Sequence, residues 1–156
     1  MVVRYSTDHI SPFPSIRNNK PFNISLTKTA TGTVFLAFTD PAIRYELVSK
    51  EVTGSTSARS QKVAEDRRQL MEQRFKRVRQ DGYCCLDLSQ TGQVGMAVPI
   101  FVQGSVFAVL SLRFYTSAMS HKTAIERYHA LLRASADKIE GGIAVTAPML
   151  NVKARK

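Results

Sequence analysis

The chain has 156 residues, 44% apolar and 22% charged, with 22 lysines and arginines against 12 acidic residues. That balance suits a single soluble, globular domain with enough length to bury a core. The longest apolar run, Met96 to Val102, is strand-sized, which excludes a membrane-spanning helix, and no charged segment followed by an apolar one opens the chain, so no signal peptide is expected.

In chain order, Met1 to Ser6 is expected to be a strand, and His9 to Lys20, with Pro12, Pro14, Asn18 and Asn19, an irregular connection. Phe22, Ile24 and Leu26 alternate with polar residues and predict a half-buried strand. From Thr29 the pattern changes: small residues lead into Val34–Phe38, a short and mostly buried helix. Asp40 followed by Pro41 is a helix start, an N-cap and a first-turn proline, for a helix to about Glu51. Thr53 to Ser60 is expected to be a loop. Gln61 to Asp81 is the clearest helix, with Val63, Leu70, Met71, Phe75 and Val78 as its apolar stripe and Gly82 as its cap. Strands follow at Tyr83–Leu88, Val94–Val102 and Val106–Tyr115, the last two joined by the hairpin signal Gln103-Gly104. Ser120 caps a final helix expected to end near Glu140, before Gly141 and Gly142. The basic end of the chain, residues 148–156, is expected to be a disordered tail. The order of elements gives an α+β layout, a largely antiparallel sheet with helices packed on it.

Catalytic signatures are missing. There is no phosphate-binding loop and no dinucleotide fingerprint. His9, His121 and His129 lack carboxylates at ligand spacing, so no metal site is expected. Cys84 and Cys85 are adjacent and on a strand point to opposite faces, which argues against a disulfide and fits two half-buried thiols in a reducing cytoplasm. No enzyme activity and no cofactor are expected. The net charge of +10 permits a nucleic-acid-binding reading. Much of the excess, however, sits on one helix, at Arg67, Arg68, Arg74, Lys76, Arg77 and Arg79, where a solvated face is the plain explanation, and in Lys153, Arg155 and Lys156.

Three segments together resemble the effector-binding domain of IclR-type transcription regulators. Ile24-Ser25-Leu26-Thr27-Lys28-Thr29-Ala30-Thr31-Gly32-Thr33-Val34-Phe35-Leu36-Ala37-Phe38 is similar to the family stretch L-P-L-H-A-T-A-x-G-x-A-L-L-A-F. Arg77 to Tyr83 is similar to the family's helix end R-x-x-G-Y/W. Ala97-Val98-Pro99-Ile100-Phe101, with Gly104 to Leu112 after it, is similar to I-A-V-P-V-F-D-x-x-G-x-V-V-A-A-L-S-V. Within the family, Ser117-Ala118-Met119 and Met1-Val2-Val3-Arg4 look most like the activators of phenylpropionate degradation, the MhpR-like branch. The resemblance implies a GAF-like fold, a curved antiparallel sheet of about six strands flanked by helices, with residues 1–147 forming the ligand-sensing domain. Family members carry an N-terminal winged helix-turn-helix that is not found ahead of the first strand here.

The resemblance also implies a set of effector-binding residues. Backbone donors at the small-residue turn fall on Ala30 and Thr31, with Gly32 next to them. Free N–H groups at a helix start, helped by the helix dipole, suit a carboxylate. The strand position before Ala97-Val98-Pro99 falls near Gly95. Two positions on the following strand fall on Ser111 and Arg113, and a polar position after the Gly82-Tyr83 pair falls on Asp87, or on Leu86 if the shorter loop shifts the match by one. Hydrophobic wall positions fall near Ile16, Ile24 and Phe35. Arg113 departs from the family's usual small residue. On a strand it shares a face with Ser111, so it meets a ligand carboxylate, pairs internally (Asp87 being one candidate), or reaches water. The expected function is therefore a sensor of a small carboxylate, aromatic in character, working as a homo-oligomer and reaching DNA only through a missing N-terminal domain. The alternative is a nucleic-acid-binding module using the basic face.

Overall fold

The computed structural model describes residues 1–7, 24–52, 58–88 and 92–153. Four helices, α1 (Ala30–Phe38), α2 (Pro41–Val52), α3 (Ala58–Asp81) and α4 (His121–Lys153), surround a sheet of β1 (Cys84–Leu88), β2 (Gln93–Val102) and β3 (Ser105–Tyr115). The strands form an antiparallel meander in the order β1-β2-β3. Gln103 and Gly104 both have positive φ, 51° and 77°, as a two-residue hairpin turn that matches the strand twist requires.

β2 is the centre of the molecule. Val94, Met96, Val98 and Ile100 point to one face and pack with α4 through Ala124, Tyr128, Leu132 and Ala136. Ala97 points to the other face and joins Leu26, Ala30, Val34, Leu36 and Ala37, with Phe75 and Val78 of α3 behind them. A strand covered on both sides reads as a continuous apolar run, which is why Met96–Val102 shows no alternation. Helices thus lie on both faces of an antiparallel sheet, the α+β arrangement that the sequence predicts.

α1 is apolar all round because it is covered all round. Ala30, Gly32, Thr33, Val34, Leu36 and Ala37 are buried. Thr29, in extended conformation, caps its start: Oγ1 accepts the Gly32 N–H at 3.0 Å while its own hydroxyl donates to the Ser25 carbonyl at 2.8 Å. At the other end the Thr39 N–H and hydroxyl both donate to the Phe35 carbonyl. Arg44 reaches the carbonyls of Leu36 and Thr39, and Arg79 of α3 donates to that of Ala37 at 3.0 Å. Two cations at the C-terminal end of α1 satisfy its last carbonyls and complement the helix dipole. Asp40 then caps α2 through the Ala42 N–H at 2.8 Å, with Pro41 in the first turn as expected.

Several element limits differ from expectation. α3 begins at Ala58, inside the expected loop, and Val63 and Leu70 of its predicted stripe are 48% and 59% exposed. The reason is length: α3 is about 36 Å long and the helix it packs on, α1, only about 14 Å, so the N-terminal half of α3 extends beyond the core. α4 does not stop at Glu140 but continues through Gly141, Gly142 and Pro148 to Lys153, into the expected tail. Each helical glycine costs about 1 kcal/mol, and Ile143 packing against the Val98–Ile100–Ala136 cluster offsets this. Among the described residues the sheet has three strands. Met1–Ser6 holds one isolated bridge, at Val2, and Ile24 donates its N–H to the Met1 carbonyl at 2.9 Å. Leu26, expected at a strand end, lies in the turn before α1 and is buried. Residues 8–23, including the expected loop and the start of the second strand, lie outside the described residues.

One contact fixes how the chain enters α1. A β-carbon on Gly32 would lie 2.4 Å from both the Cα and the carbonyl oxygen of Leu26, so the two backbones touch and only glycine fits. Gly32→Ala is expected to destabilise the chain by about 1–3 kcal/mol, the usual cost of overpacking, read from urea unfolding. Gly141→Ala, where nothing lies within 4 Å of the added carbon, is expected to stabilise by up to about 1 kcal/mol. Equal effects of the two would contradict the close-approach account.

Candidate functional site

The register of the sheet decides which residues can act together. Leu86 of β1, Gly95 of β2 and Arg113 of β3 are direct cross-strand partners, and so are Cys84, Ala97 and Ser111 in the neighbouring row. Cross-strand partners share a face, and Cys84 and Ala97 belong to the core cluster beneath α1. All six residues therefore face the α1 layer. Gly95 lies directly under the start of α1: a β-carbon there would meet the Ala30 methyl at 3.5 Å and the Leu86 carbonyl at 4.0 Å.

Of the ten predicted site residues, Ala30, Gly95, Ser111 and Arg113 are thus brought to one side of the sheet, around the N-terminus of α1. Thr31, half-buried, is the next residue of that first helical turn, whose N–H groups point out of the helix. Ser111 and Arg113 are exposed on this face. Gly32 is turned inward, with its N–H bonded to Thr29 and its α-carbon against Leu26, so it shapes the turn and offers no donor. Phe35 is half-buried one turn along α1 and packs on the core. Ile24 is half-buried and tied to Met1. Ile16 lies outside the described residues.

Asp87 goes elsewhere. It pairs with Val94 in the register, on the α4 face, and its Oδ1 lies 3.0 Å from His121 Nε2. It leaves the sheet on the side opposite to Arg113, so the two do not form the pair that the sequence allowed. Leu86, its neighbour, is the residue that shares a row with Gly95 and Arg113. A shift of one position flips a strand residue to the other face, and a loop one residue shorter is enough to produce that shift.

The thiols show the same alternation. Cys84 is buried in the α1-side core and Cys85 packs on the α4 side; both are free. Burial pushes the Cys84 thiol up to about 11, against the opposing pull of nearby Arg74, and burial with the Asp87 charge also raises Cys85. Near neutral pH both are protonated, the wrong state for a nucleophile. Among the described residues no three of His, Cys, Asp and Glu gather to hold a metal ion, and no helix is long and apolar enough to cross a membrane.

Sequence reasoning missed a polar clamp. Arg133 of α4 donates to the Pro99 carbonyl at 2.6 Å, and Glu140 accepts the Phe101 N–H at 2.9 Å. Arg133 also pairs with Asp137 and Glu140. The clamp falls beside the β2–β3 register shift, between Ile100 and Phe101, and beyond the end of the β1 ladder at Ala97, and it gives the Pro99 carbonyl and the Phe101 N–H side-chain partners. The spacing of Arg133, Asp137 and Glu140 along one helix side was its only signal.

The sequence model of the family described as bacterial transcriptional regulator IclR, C-terminal, matches residues 22–141. The chain belongs to this family. No curated protein matches it in sequence. Among solved structures it is similar to a double mutant of the PobR inducer-binding domain from Acinetobacter in complex with 3-hydroxybenzoic acid, at 26% identity and a TM-score of 0.58, covering 74% of this chain and 65% of that one. It is also similar to the C-terminal domain of the transcriptional regulator KdgR from E. coli, at 28% and 0.57, covering 74% and 69%. An IclR homologue from Microbacterium hydrocarbonoxydans complexed with 4-hydroxybenzoate shares the fold at 24% and 0.53, with 78% of this chain and 47% of that one covered. The chain spans about two thirds of the isolated domains and about half of the longer homologue.

Raised thiols give an expected outcome. At about pH 8, native Cys84 is expected to react with iodoacetamide more than about tenfold more slowly than an unfolded thiol, with the rate climbing as pH approaches its raised value. Mass-spectrometric mapping of the alkylated residue after timed quenching checks this. Fast native labelling of Cys84 would overturn the burial argument.

Proposed function

We propose that this chain is a ligand-sensing domain that holds a small aromatic carboxylate against the α1 face of its sheet. The observation that carries the reading is the juxtaposition of the α1 N-terminus with Gly95 and, across the register, Arg113. Helix N–H groups at Ala30 and Thr31 and a guanidinium on the neighbouring strand are three donors suited to one anionic group. Gly95 leaves the strand floor open under the start of α1, where a β-carbon would already be in van der Waals contact with Ala30 at 3.5 Å. Ile24 and Phe35, with Ile16, are assigned to the apolar wall. Membership of a regulator family, together with relatives solved with 3-hydroxybenzoic acid and 4-hydroxybenzoate, favours an aromatic acid as the class.

The site binds and does not convert. Among the described residues the two thiols are raised and stay protonated near neutral pH, and the chemistry of the site is donation of hydrogen bonds to a carboxylate. The Ile24–Met1 hydrogen bond joins two segments that the sequence reads as strands, which favours a sheet larger than the three described strands, of the curved, GAF-like form. A bound ligand biases the regulator by binding one of its arrangements more tightly than another. Contact with operator DNA is assigned to a winged helix-turn-helix outside these 156 residues, in a cytoplasmic homo-oligomer.

Isothermal titration of the chain with 3-hydroxybenzoate and 4-hydroxybenzoate tests this. At least one is expected to bind, and Arg113→Ala is expected to weaken it by about tenfold or more, the range for a hydrogen-bonded charge. Gly95→Val, which crowds the start of α1, is expected to weaken it too. Unchanged affinity in Arg113→Ala removes that residue from the site, and no binding by either acid removes the aromatic class.

A further inference from the structure

Along the outer edge of β1 runs an open groove of about 390 Å³. Among the described residues β1 pairs only with β2, so this edge has no partner strand. The C-terminal half of α3 forms one wall and the first turns of α4, at His121 and Ile125, the other. Arg74 and Arg77, three positions apart and so on one side of α3, both line it. Val78, Leu86 and Ile125 supply apolar surface. Neither arginine is used by the proposed effector site, although Leu86 stands in the same cross-strand row as Gly95 and Arg113.

We propose that this groove is a second small-molecule site, taking an organic anion that carries its carboxylate on an apolar, ring-sized body. The volume falls within the range of small-ligand pockets, which are mostly apolar with a few convergent polar groups. Two guanidinium groups on one helix side match the planar carboxylate fork better than a diffuse basic surface does. Asp81, one turn beyond Arg77, also lines the groove and gives it polarity: it repels an anion and accepts from a hydroxyl at the ligand's other end. Cys84 and Cys85, which also line the groove, keep their thiols protonated near neutral pH, so they add no negative charge against the ligand.

Position gives such a ligand leverage. α3 packs in the α1 layer and α4 covers the opposite face of the sheet, so a molecule in the groove touches both helical layers and the strand between them. Tyr83, which also lines it, lies against His129 of α4, with ring centroids 4.5 Å apart and the planes tilted by 45°. Occupancy at the β1 edge therefore bears on how α3 and α4 sit against the sheet, which the α1-face site does not do directly.

Site-resolved NMR on the ¹⁵N-labelled 156-residue chain, titrated with benzoate and separately with neutral benzyl alcohol, tests the proposal. Benzoate is expected to shift the backbone amides of Tyr83–Leu86 and the guanidinium N–H signals of Arg74 and Arg77, in the wild type and in Arg113→Ala alike. Arg74→Gln with Arg77→Gln is expected to weaken that response about tenfold, while any response around Gly95 and Arg113 persists. Arg74→Lys with Arg77→Lys keeps the charge but loses the planar fork, and is expected to bind more tightly than the glutamine variant and more weakly than the wild type. Benzyl alcohol is expected to bind more weakly than benzoate. Unmoved Tyr83–Leu86 amides, or unchanged binding in the glutamine variant with a native amide spectrum, overturns the proposal. Because Arg113→Ala affects only the α1 face, loss of one site is distinguishable from loss of the other.

Discussion

The architecture depends on a backbone-to-backbone contact, Gly32 against Leu26 at a distance that no β-carbon could occupy. That contact lets the chain turn sharply into α1 and lay the helix close on the sheet, with Ala30 resting over Gly95. Two small residues facing each other bring a helix N-terminus nearer to a strand than larger side chains would allow. A side chain at Gly32 would force the two backbones apart, and overpacking of this kind costs stability. The same closeness places the first-turn N–H groups within reach of whatever sits on the neighbouring strand.

The positive charge looks different once the fold is known. Arg79, on the helix whose basic face invites a nucleic-acid reading, donates to a carbonyl of α1, and Arg44 does the same while stacking over Phe75 at 5.7 Å. Arg133 joins α4 to β2. These side chains use their stems as apolar cover and their guanidinium groups as caps for backbone oxygens. Their work is internal to the fold, whereas Arg74 and Arg77 line the groove beside β1.

β2 links the two halves of the molecule. Its residues are buried on both faces, with α1 on one and α4 on the other, so α1 and α4 are coupled through one layer of backbone. Beside the irregularity in its ladder with β3, Arg133 and Glu140 bond the Pro99 carbonyl and the Phe101 N–H. A fold with both helical layers fastened to one strand suits a sensor, because a contact on either face alters packing that the other face shares.

By itself the sequence determined the classes of the elements and much of their order. Helix periodicity from Gln61 to Asp81, the Asp40-Pro41 start, the Gly82 cap and the Gln103-Gly104 hairpin are local signals, set by backbone sterics and short-range hydrogen bonds, and each has its counterpart in the fold. The family motifs likewise brought Ala30, Gly95, Ser111 and Arg113 forward as a group. Only the tertiary structure decided which of those residues face one another. The face taken by Asp87 or Leu86 turns on a register step of one residue, and the exposure of Val63 and Leu70 on the short length of the helix beside them. The run of α4 past Gly141-Gly142 depends on Ile143 finding a core, and the Arg133–Glu140 clamp on an irregularity in a distant ladder. All of these are set by partners far apart in the chain, and local pattern carries no record of distance in space.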